Sequence, residues 1–132
     1  MAPTPVSSLV HSSTLVTAGV YLLYRFQELW VSRVFSEAML IFGVWTAVLG
    51  AAAGCFMRDV KKLVALSTLV NLGYMIVGLG IEEASLSLFH CFVHALGKAN
   101  IFIAIGVLLS SRLGCQDVRS LNIRSREHSP LA

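Results

Sequence analysis

The spacing of charged residues along the chain constrains its fold more than any other feature of the sequence. Residues 1–24, 38–57 and 63–81 contain no Asp, Glu, Lys or Arg, and residues 84–111 contain only Lys98. An α-helix rises about 1.5 Å per residue and the hydrocarbon core of a bilayer is about 30 Å thick, so about 20 residues are enough to cross it. Each stretch is 19 to 28 residues long, and each therefore has the length of a transmembrane helix.

The composition excludes the other classes of fold. Of the 132 residues, 56% are hydrophobic and 13% are charged, which is about half the charged share of a soluble domain. A soluble chain this short exposes too much surface to be covered by so few charges. The same apolar content excludes disorder, and three cysteines do not make a disulfide framework.

The spans are predicted to be helical, because strands in lipid need a closed barrel and these runs lack apolar–polar alternation. We predict an all-α membrane protein in which four transmembrane helices form a four-span segment over residues 1–111. A polar, basic tail follows at 112–132. The four spans are expected over about 4–25, 36–57, 62–80 and 85–111.

Basic residues predict the orientation. Four spans place three segments on one side of the membrane: the N-terminus, the loop between the second and third spans, and the tail. That side holds seven basic residues and the other side only two, Arg25 and Arg33. Basic loops stay on the side from which insertion occurs, so the tail is predicted to face the matrix or cytoplasm. Topology and lipid headgroups account for the net charge of +3, and nucleic acid is not expected as a partner.

The fourth span contains three ionisable residues at four-residue intervals, His90, His94 and Lys98. This spacing places them in one stripe about 12 Å long on one helix face. A lysine in mid-membrane costs several kcal/mol, so its ammonium must meet water, a carboxylate or backbone oxygens of neighbouring helices. Because histidine titrates near neutrality and exchanges protons at both ring nitrogens, the stripe has the chemistry of a proton relay. The alternative is a satisfied polar core that holds helices together.

The other spans carry weaker signals. In the first span, Ser7, His11 and Thr14 share a face, where they either line a wet cavity or hydrogen-bond between helices. In the third span, Asn71 is expected to hydrogen-bond to another helix. The second span is rich in glycine and alanine at 50–54 and is interpreted as a packing helix.

A metal or haem site is the other chemistry that the histidines suggest. His90 and His94 have the spacing of paired ligands, and His11 is a possible third. However, Lys98 shares their face and repels a cation, and no Asp or Glu lies in the interior of a span to complete the site. We therefore expect no metal in this chain.

Several segments closely resemble one family, NADH dehydrogenase subunit 5, the distal antiporter-like membrane subunit of respiratory complex I. Their order and spacing agree over nearly the whole chain, and the first segment is specific to this subunit among its paralogues. The segments are APTPVSSLVHSST at 2–14, AGVYL at 18–22, DVKKLVALST at 59–68, LGYM at 72–75, HCFVHALGKA at 90–99 and QDVR at 116–119.

The resemblance implies a hydrated mid-membrane axis of histidines and lysines that carries protons. It implies that Lys98 is the central carrier and that His94 and His90 relay protons to and from it. It further implies that His11, with Ser7 and Thr14, continues the relay into the first span. Lys62 matches a basic residue of the family's D-x-K-[KR] segment, with an anchoring or a transport role.

The resemblance also sets partners and location. A full family member has many more spans on both sides, so we expect a fragment of subunit 5 that assembles with other fragments and other membrane-arm subunits. Its expected location is the mitochondrial inner membrane, with the bacterial plasma membrane as the alternative. No Gly-rich phosphate loop or cysteine cluster is present. As a subunit of NADH:ubiquinone reductase the chain is thus expected to have no redox site, and flavin, iron–sulfur clusters and quinone are expected in other subunits.

Two alternative functions share these motifs. A subunit of a multi-subunit sodium–proton antiporter has the same residues in its spans. A structural four-helix fragment without a transport role is the second alternative, because Val93, Leu96, Gly97 and Asn100 replace the family's usual residues around the stripe.

Overall fold

The computed structural model describes residues 14–29 and 32–111, together with the isolated positions Val6 and Val10. All regular structure in these residues is helical, which confirms the predicted fold class. A 3-10 turn, Gln27–Leu29, lies between the first two helices. The helices are α1 (Leu15–Arg25), α2 (Arg33–Phe56), α3 (Val60–Gly80) and α4 (Ala84–Ser111).

Three of these helices are long and apolar enough to cross a membrane: α2, α3 and the Ala84–Leu108 part of α4. The helix α1 is an apolar helix of 11 residues, and most of the predicted first span before Leu15 lies outside the described residues. The tail at 112–132 lies outside them as well.

Short connections make neighbouring helices antiparallel. Met57, Arg58 and Asp59 join α2 to α3, and residues 81–83 join α3 to α4. The second connection is a Schellman-type cap in which Glu82 adopts the left-handed conformation at φ 65°. The N–H of Glu82 donates to the Leu79 carbonyl and the N–H of Glu83 to that of Gly78, both at 3.1 Å.

Small residues bring α2 and α3 close together. A Cβ atom added to Gly73 would lie 2.7 Å from the Gly43 carbonyl oxygen and 2.8 Å from the backbone nitrogen of Ala47. The two backbones therefore approach each other where a larger side chain has no room. Further along α3, the Ser36 hydroxyl donates to the Gly80 carbonyl. The interpretation of the second span as a packing helix thus holds at Gly43 and Gly50, whereas Ala51 and Ala52 are exposed.

The small apolar core lies where α1 meets α3. It contains Val20, Met75 and Leu79, with the half-buried Tyr24 and Cys91 packed against it. The outward faces of the longer helices remain uncovered: Phe42 of α2 is 70% exposed and Phe89 of α4 is 67% exposed. Such faces require lipid or further helices around them.

Candidate functional site

The predicted stripe of α4 faces α3. Both His94 and Lys98 are only 6% exposed, and His90 is half-buried. Near the turn that joins the two helices, the Ser87 hydroxyl of α4 donates to the Met75 carbonyl of α3 at 2.8 Å. The three ionisable groups therefore lie against a neighbouring helix, not on an exposed surface of the chain.

The ammonium of Lys98 meets oxygens of the first turns of α3. Its Nζ donates to the Val64 carbonyl at 3.1 Å and to the Ser67 hydroxyl. The Ser67 hydroxyl in turn donates to the Val64 carbonyl at 2.8 Å. Of the partners predicted for this ammonium, the structure thus shows oxygens of a neighbouring helix.

No acidic side chain pairs with this lysine among the described residues. Their two ion pairs are Arg33–Glu37 and Lys62–Asp59, at 3.6 and 3.0 Å. Lys98 is thus a buried cation that is held by uncharged oxygens.

At the other end of the stripe, His90 is hydrogen-bonded to Asn71. Its Nε2 lies 3.1 Å from the Asn71 Oδ1 atom. The Asn71 amide also donates from Nδ2 to the Ser67 carbonyl at 2.7 Å. The Tyr74 ring and the imidazole form a T-shaped pair with an interplanar angle of 81°. The prediction that Asn71 bonds to another helix is therefore confirmed.

Between them, His94 is buried without a partner for one ring nitrogen. Its Nε2 is enclosed and makes no hydrogen bond with any described residue. A buried polar atom of this kind is costly and usually has a functional reason. Here the atom belongs to a titratable ring, one helical turn from Lys98 on one side and from His90 on the other.

Ser67 and the Val64 carbonyl are site groups that the sequence did not single out. Along α3, Val64, Ser67 and Asn71 share the face that meets α4. The spacing of Ser67 and Asn71, four residues apart, matches the spacing of the stripe on α4, and this was the available signal. A backbone carbonyl, by contrast, leaves no trace in the sequence.

Apolar side chains bound this polar stripe at both ends. One turn beyond Lys98 on α4, Phe102 is 3% exposed. At the other end, beyond His90 and Asn71, lies the core around Met75, which is fully buried. Among the described residues, the groups from Lys98 to His90 and Asn71 thus form a short buried segment, and the buried Ser87 hydroxyl lies beyond it, bonded to the Met75 carbonyl.

Two of the remaining predicted site residues, Lys62 and Thr14, are not part of this segment. The Lys62 side chain is 58% exposed and pairs with Asp59 in the first turn of α3. Thr14 precedes α1, is exposed, and accepts a hydrogen bond at its carbonyl from the Thr17 hydroxyl at 3.2 Å. The predicted residues Ser7 and His11 lie outside the described residues. Across the part of the chain that is described, no cluster of three or more His, Cys, Asp or Glu is arranged to hold a metal ion.

The chain is similar in sequence to one subunit of NADH-ubiquinone oxidoreductase from several animals. NADH-ubiquinone oxidoreductase chain 5 of Caenorhabditis elegans is 44% identical over 119 residues, which are 90% of this chain and 23% of the relative. The same subunit of Aedes aegypti is 46% identical over 118 residues, 89% of this chain and 20% of the relative. That of Mytilus edulis is 43% identical over 122 residues, 92% of this chain and 22% of the relative. The chain thus spans about a fifth of the length of these relatives, and their similarity confirms the resemblance to subunit 5.

The family profile described as "NADH:quinone oxidoreductase/Mrp antiporter, TM" matches residues 1–130. That match extends over all four helices and both sides of the buried stripe. The chain therefore belongs to the transmembrane family that NADH:quinone oxidoreductases share with Mrp antiporters.

Proposed function

We propose that the chain lines part of a mid-membrane proton pathway in an NADH:ubiquinone oxidoreductase. Lys98 is the central proton carrier, and His94 and His90 relay protons to and from it. The observation that carries the proposal is the buried Lys98 ammonium, whose partners among the described residues are the uncharged oxygens of Val64 and Ser67.

The uncharged partners matter for the chemistry. A carboxylate partner would be left as an uncompensated buried charge whenever the lysine lost its proton, which is strongly unfavourable. A carbonyl and a hydroxyl carry no charge, so they accommodate both the ammonium and the neutral amine. Lys98 is therefore suited to bind and release a proton while its surroundings stay in place.

The relay needs a second group close to the carrier. His94 lies one helical turn away on the same buried face, and its Nε2 makes no hydrogen bond with a described residue. A ring nitrogen that is not committed to another protein group is available to take or give a proton. We assign His11, Ser7 and Thr14 to the continuation of the pathway into the first span. We assign Lys62 to anchoring, because its side chain is exposed and ion-paired.

The energy must come from elsewhere. Moving one charge through 100 mV takes about 2.3 kcal/mol, and we assign its source to NADH oxidation and quinone reduction. The flavin, iron–sulfur clusters and quinone then belong to other subunits. The partners of this chain are the rest of subunit 5, other membrane-arm subunits and lipid, in the mitochondrial inner membrane. The basic loop and tail face the matrix.

The test replaces Lys98 in the assembled membrane complex. Lys98→Met removes the proton-binding group, and Lys98→Arg keeps the positive charge but cannot release a proton. Both variants should lower NADH-driven proton pumping in proteoliposomes by at least about tenfold, the effect of removing a positioned proton-transfer group. Lys61→Met, which removes a lysine outside the stripe, should pump normally.

The Arg variant separates the proposal from a structural role. If Lys98 only held α3 and α4 together, Lys98→Arg would assemble and pump like the wild type, and the carrier role would be refuted. Normal pumping by Lys98→Met would refute it as well.

The same family profile also includes antiporters. An antiporter subunit would purify without flavin and iron–sulfur subunits. Its proton transport would depend on sodium and would not depend on NADH. The subunit composition of the purified membrane complex, determined by mass spectrometry, decides between the two. The oxidoreductase is favoured, because the relatives reported above are chain 5 of that enzyme.

A further inference from the structure

The hydrogen bonds around Asn71 have a consequence for His90. Asn71 lies on α3 and contacts two groups at once, the carbonyl of Ser67 on its own helix and the imidazole of His90 on α4. The first contact, at 2.7 Å, is short for an amide–carbonyl hydrogen bond. This hydrogen bond holds the Asn71 amide in place independently of the imidazole.

The contact with Ser67 fixes which way the amide faces. A backbone carbonyl oxygen only accepts hydrogen bonds, so the Asn71 atom that meets it must be the NH₂ group. A rotated amide would set two acceptor oxygens against each other and would lose the bond. The Oδ1 atom of Asn71 must therefore face His90.

The orientation of the amide fixes the proton on His90. An amide oxygen also only accepts, so the Nε2 atom of His90, 3.1 Å away, must be the donor. In the neutral ring only one nitrogen carries a proton. With that proton on Nε2, Nδ1 is left as the free acceptor.

We propose that Asn71 is a positioning residue that keeps the Nε2 atom of His90 protonated, so that His90 takes up and returns protons through Nδ1 alone. The inference rests on the proposed function. In this view His90 does not pass a proton from one ring nitrogen to the other. The proton binds to Nδ1 and leaves again from Nδ1.

The surroundings of His90 support such a role. The Tyr74 and His90 rings form a T-shaped pair with 6.4 Å between their centroids. Ser67 connects both ends of the stripe: its carbonyl orients Asn71 and its hydroxyl accepts from Lys98. Beyond this end of the stripe lies the apolar core around Met75, where the buried Ser87 hydroxyl donates to the Met75 carbonyl.

The experiment measures the tautomer directly. Solid-state ¹⁵N NMR of the assembled complex, labelled at histidine, gives the His90 signals as the difference between wild type and His90→Phe. We expect the neutral ring in wild type to show a protonated Nε2 and an unprotonated Nδ1. A wild-type ring with its proton on Nδ1 would overturn the inference without any further variant.

Two variants on α3 separate positioning from packing. Asn71→Leu removes the amide, and we expect a mixture of both tautomers and a pumping rate lowered roughly threefold, the equilibrium factor of one interhelical hydrogen bond in a membrane. Thr68→Val is the matched control. It removes a buried hydroxyl of the same helix that donates to the Val64 carbonyl and does not contact Asn71 in the described residues, and it should leave the His90 tautomer unchanged.

The outcomes also distinguish this inference from the proposed function. An unchanged His90 tautomer in Asn71→Leu overturns the role of Asn71, while the Lys98 variants still report on the pathway. If the Lys98 variants pump normally, the pathway itself is wrong, whatever the tautomer of His90.

Discussion

The two faces of α3 differ in what they place between helices. Towards α2, small residues bring the helices together: Gly73 faces Gly43 and Ala47 with no room for a Cβ atom. Towards α4, the interface is made of polar side chains, with Lys98 and His90 bonded to groups of α3. The helix α3 thus has a close-packed interface with α2 on one side and a polar, hydrogen-bonded interface with α4 on the other.

The contrast between the two interfaces explains how the chain can bury an amine and two imidazoles. Helices in lipid gain little from apolar burial against each other, so close backbone packing is a main source of association. The α2–α3 interface supplies that packing and leaves the opposite side of α3 free to present hydroxyl, amide and carbonyl groups. We expect variants of the first interface to affect assembly and variants of the second to affect proton transfer.

The largest effect is expected from filling the α2–α3 interface. In Gly73→Ala, the new methyl would lie 2.7 Å from the Gly43 carbonyl oxygen, so the helices must separate. Overpacking of this kind costs about 1–3 kcal/mol. The amount of assembled complex and its melting temperature should both fall.

The control for this variant is Gly54→Ala, on α2. Its nearest contact would be the Leu63 Cδ1 atom at 3.9 Å, an ordinary van der Waals distance. We expect normal assembly. Equal losses in both variants would mean that close approach at Gly73 is not what holds α2 to α3.

The second prediction reverses the usual relation between stability and activity. In His94→Leu, an apolar side chain replaces a ring whose Nε2 is buried without a partner among the described residues. Leaving a polar group buried and unpaired costs about 1–3 kcal/mol, so the melting temperature of the complex should stay the same or rise. Proton pumping should fall by at least about tenfold.

The two measurements on His94→Leu are made on the same preparation. A lower melting temperature together with slower pumping would mean that His94 has a structural role. A complex that is stable and pumps normally would remove His94 from the pathway.

The sequence predicted the α4 stripe well, because its geometry is local to one helix. Four-residue spacing places His90, His94 and Lys98 on one face whatever lies opposite. Membrane depth then requires Lys98 to have oxygen partners. Both conclusions need only helix geometry and the cost of burying charge.

The partners on α3 could not be predicted in the same way. That Lys98 meets Val64 and Ser67 depends on how far α3 slides past α4, and this is set by the turn at 81–83. There a glutamate, Glu82, adopts the left-handed backbone conformation that glycine usually takes. The contacts of Lys62, by contrast, are local to one helix end. The resemblance left its role open between anchoring and transport, and in the structure Lys62 forms an ion pair with Asp59, three residues earlier.

The smallest effect is expected at Ser67, where the two roles of α3 meet. Ser67→Ala removes the hydroxyl that accepts from Lys98, but the Val64 carbonyl still accepts from Nζ. The Ser67 backbone carbonyl that orients Asn71 is also kept. Losing one interhelical hydrogen bond in a membrane costs about 0.6 kcal/mol, so pumping should fall by no more than about threefold, with normal assembly.

The tautomer of His90 makes this prediction sharper. Because the Ser67 side chain acts on Lys98 and the Ser67 main chain acts on Asn71, Ser67→Ala should slow pumping without altering the ¹⁵N signals of His90. A changed tautomer would mean that the hydroxyl, and not the carbonyl, holds the Asn71 amide in place. A tenfold loss of pumping would instead make Ser67 a proton-carrying group in its own right, and the α4 stripe would then be only half of the relay.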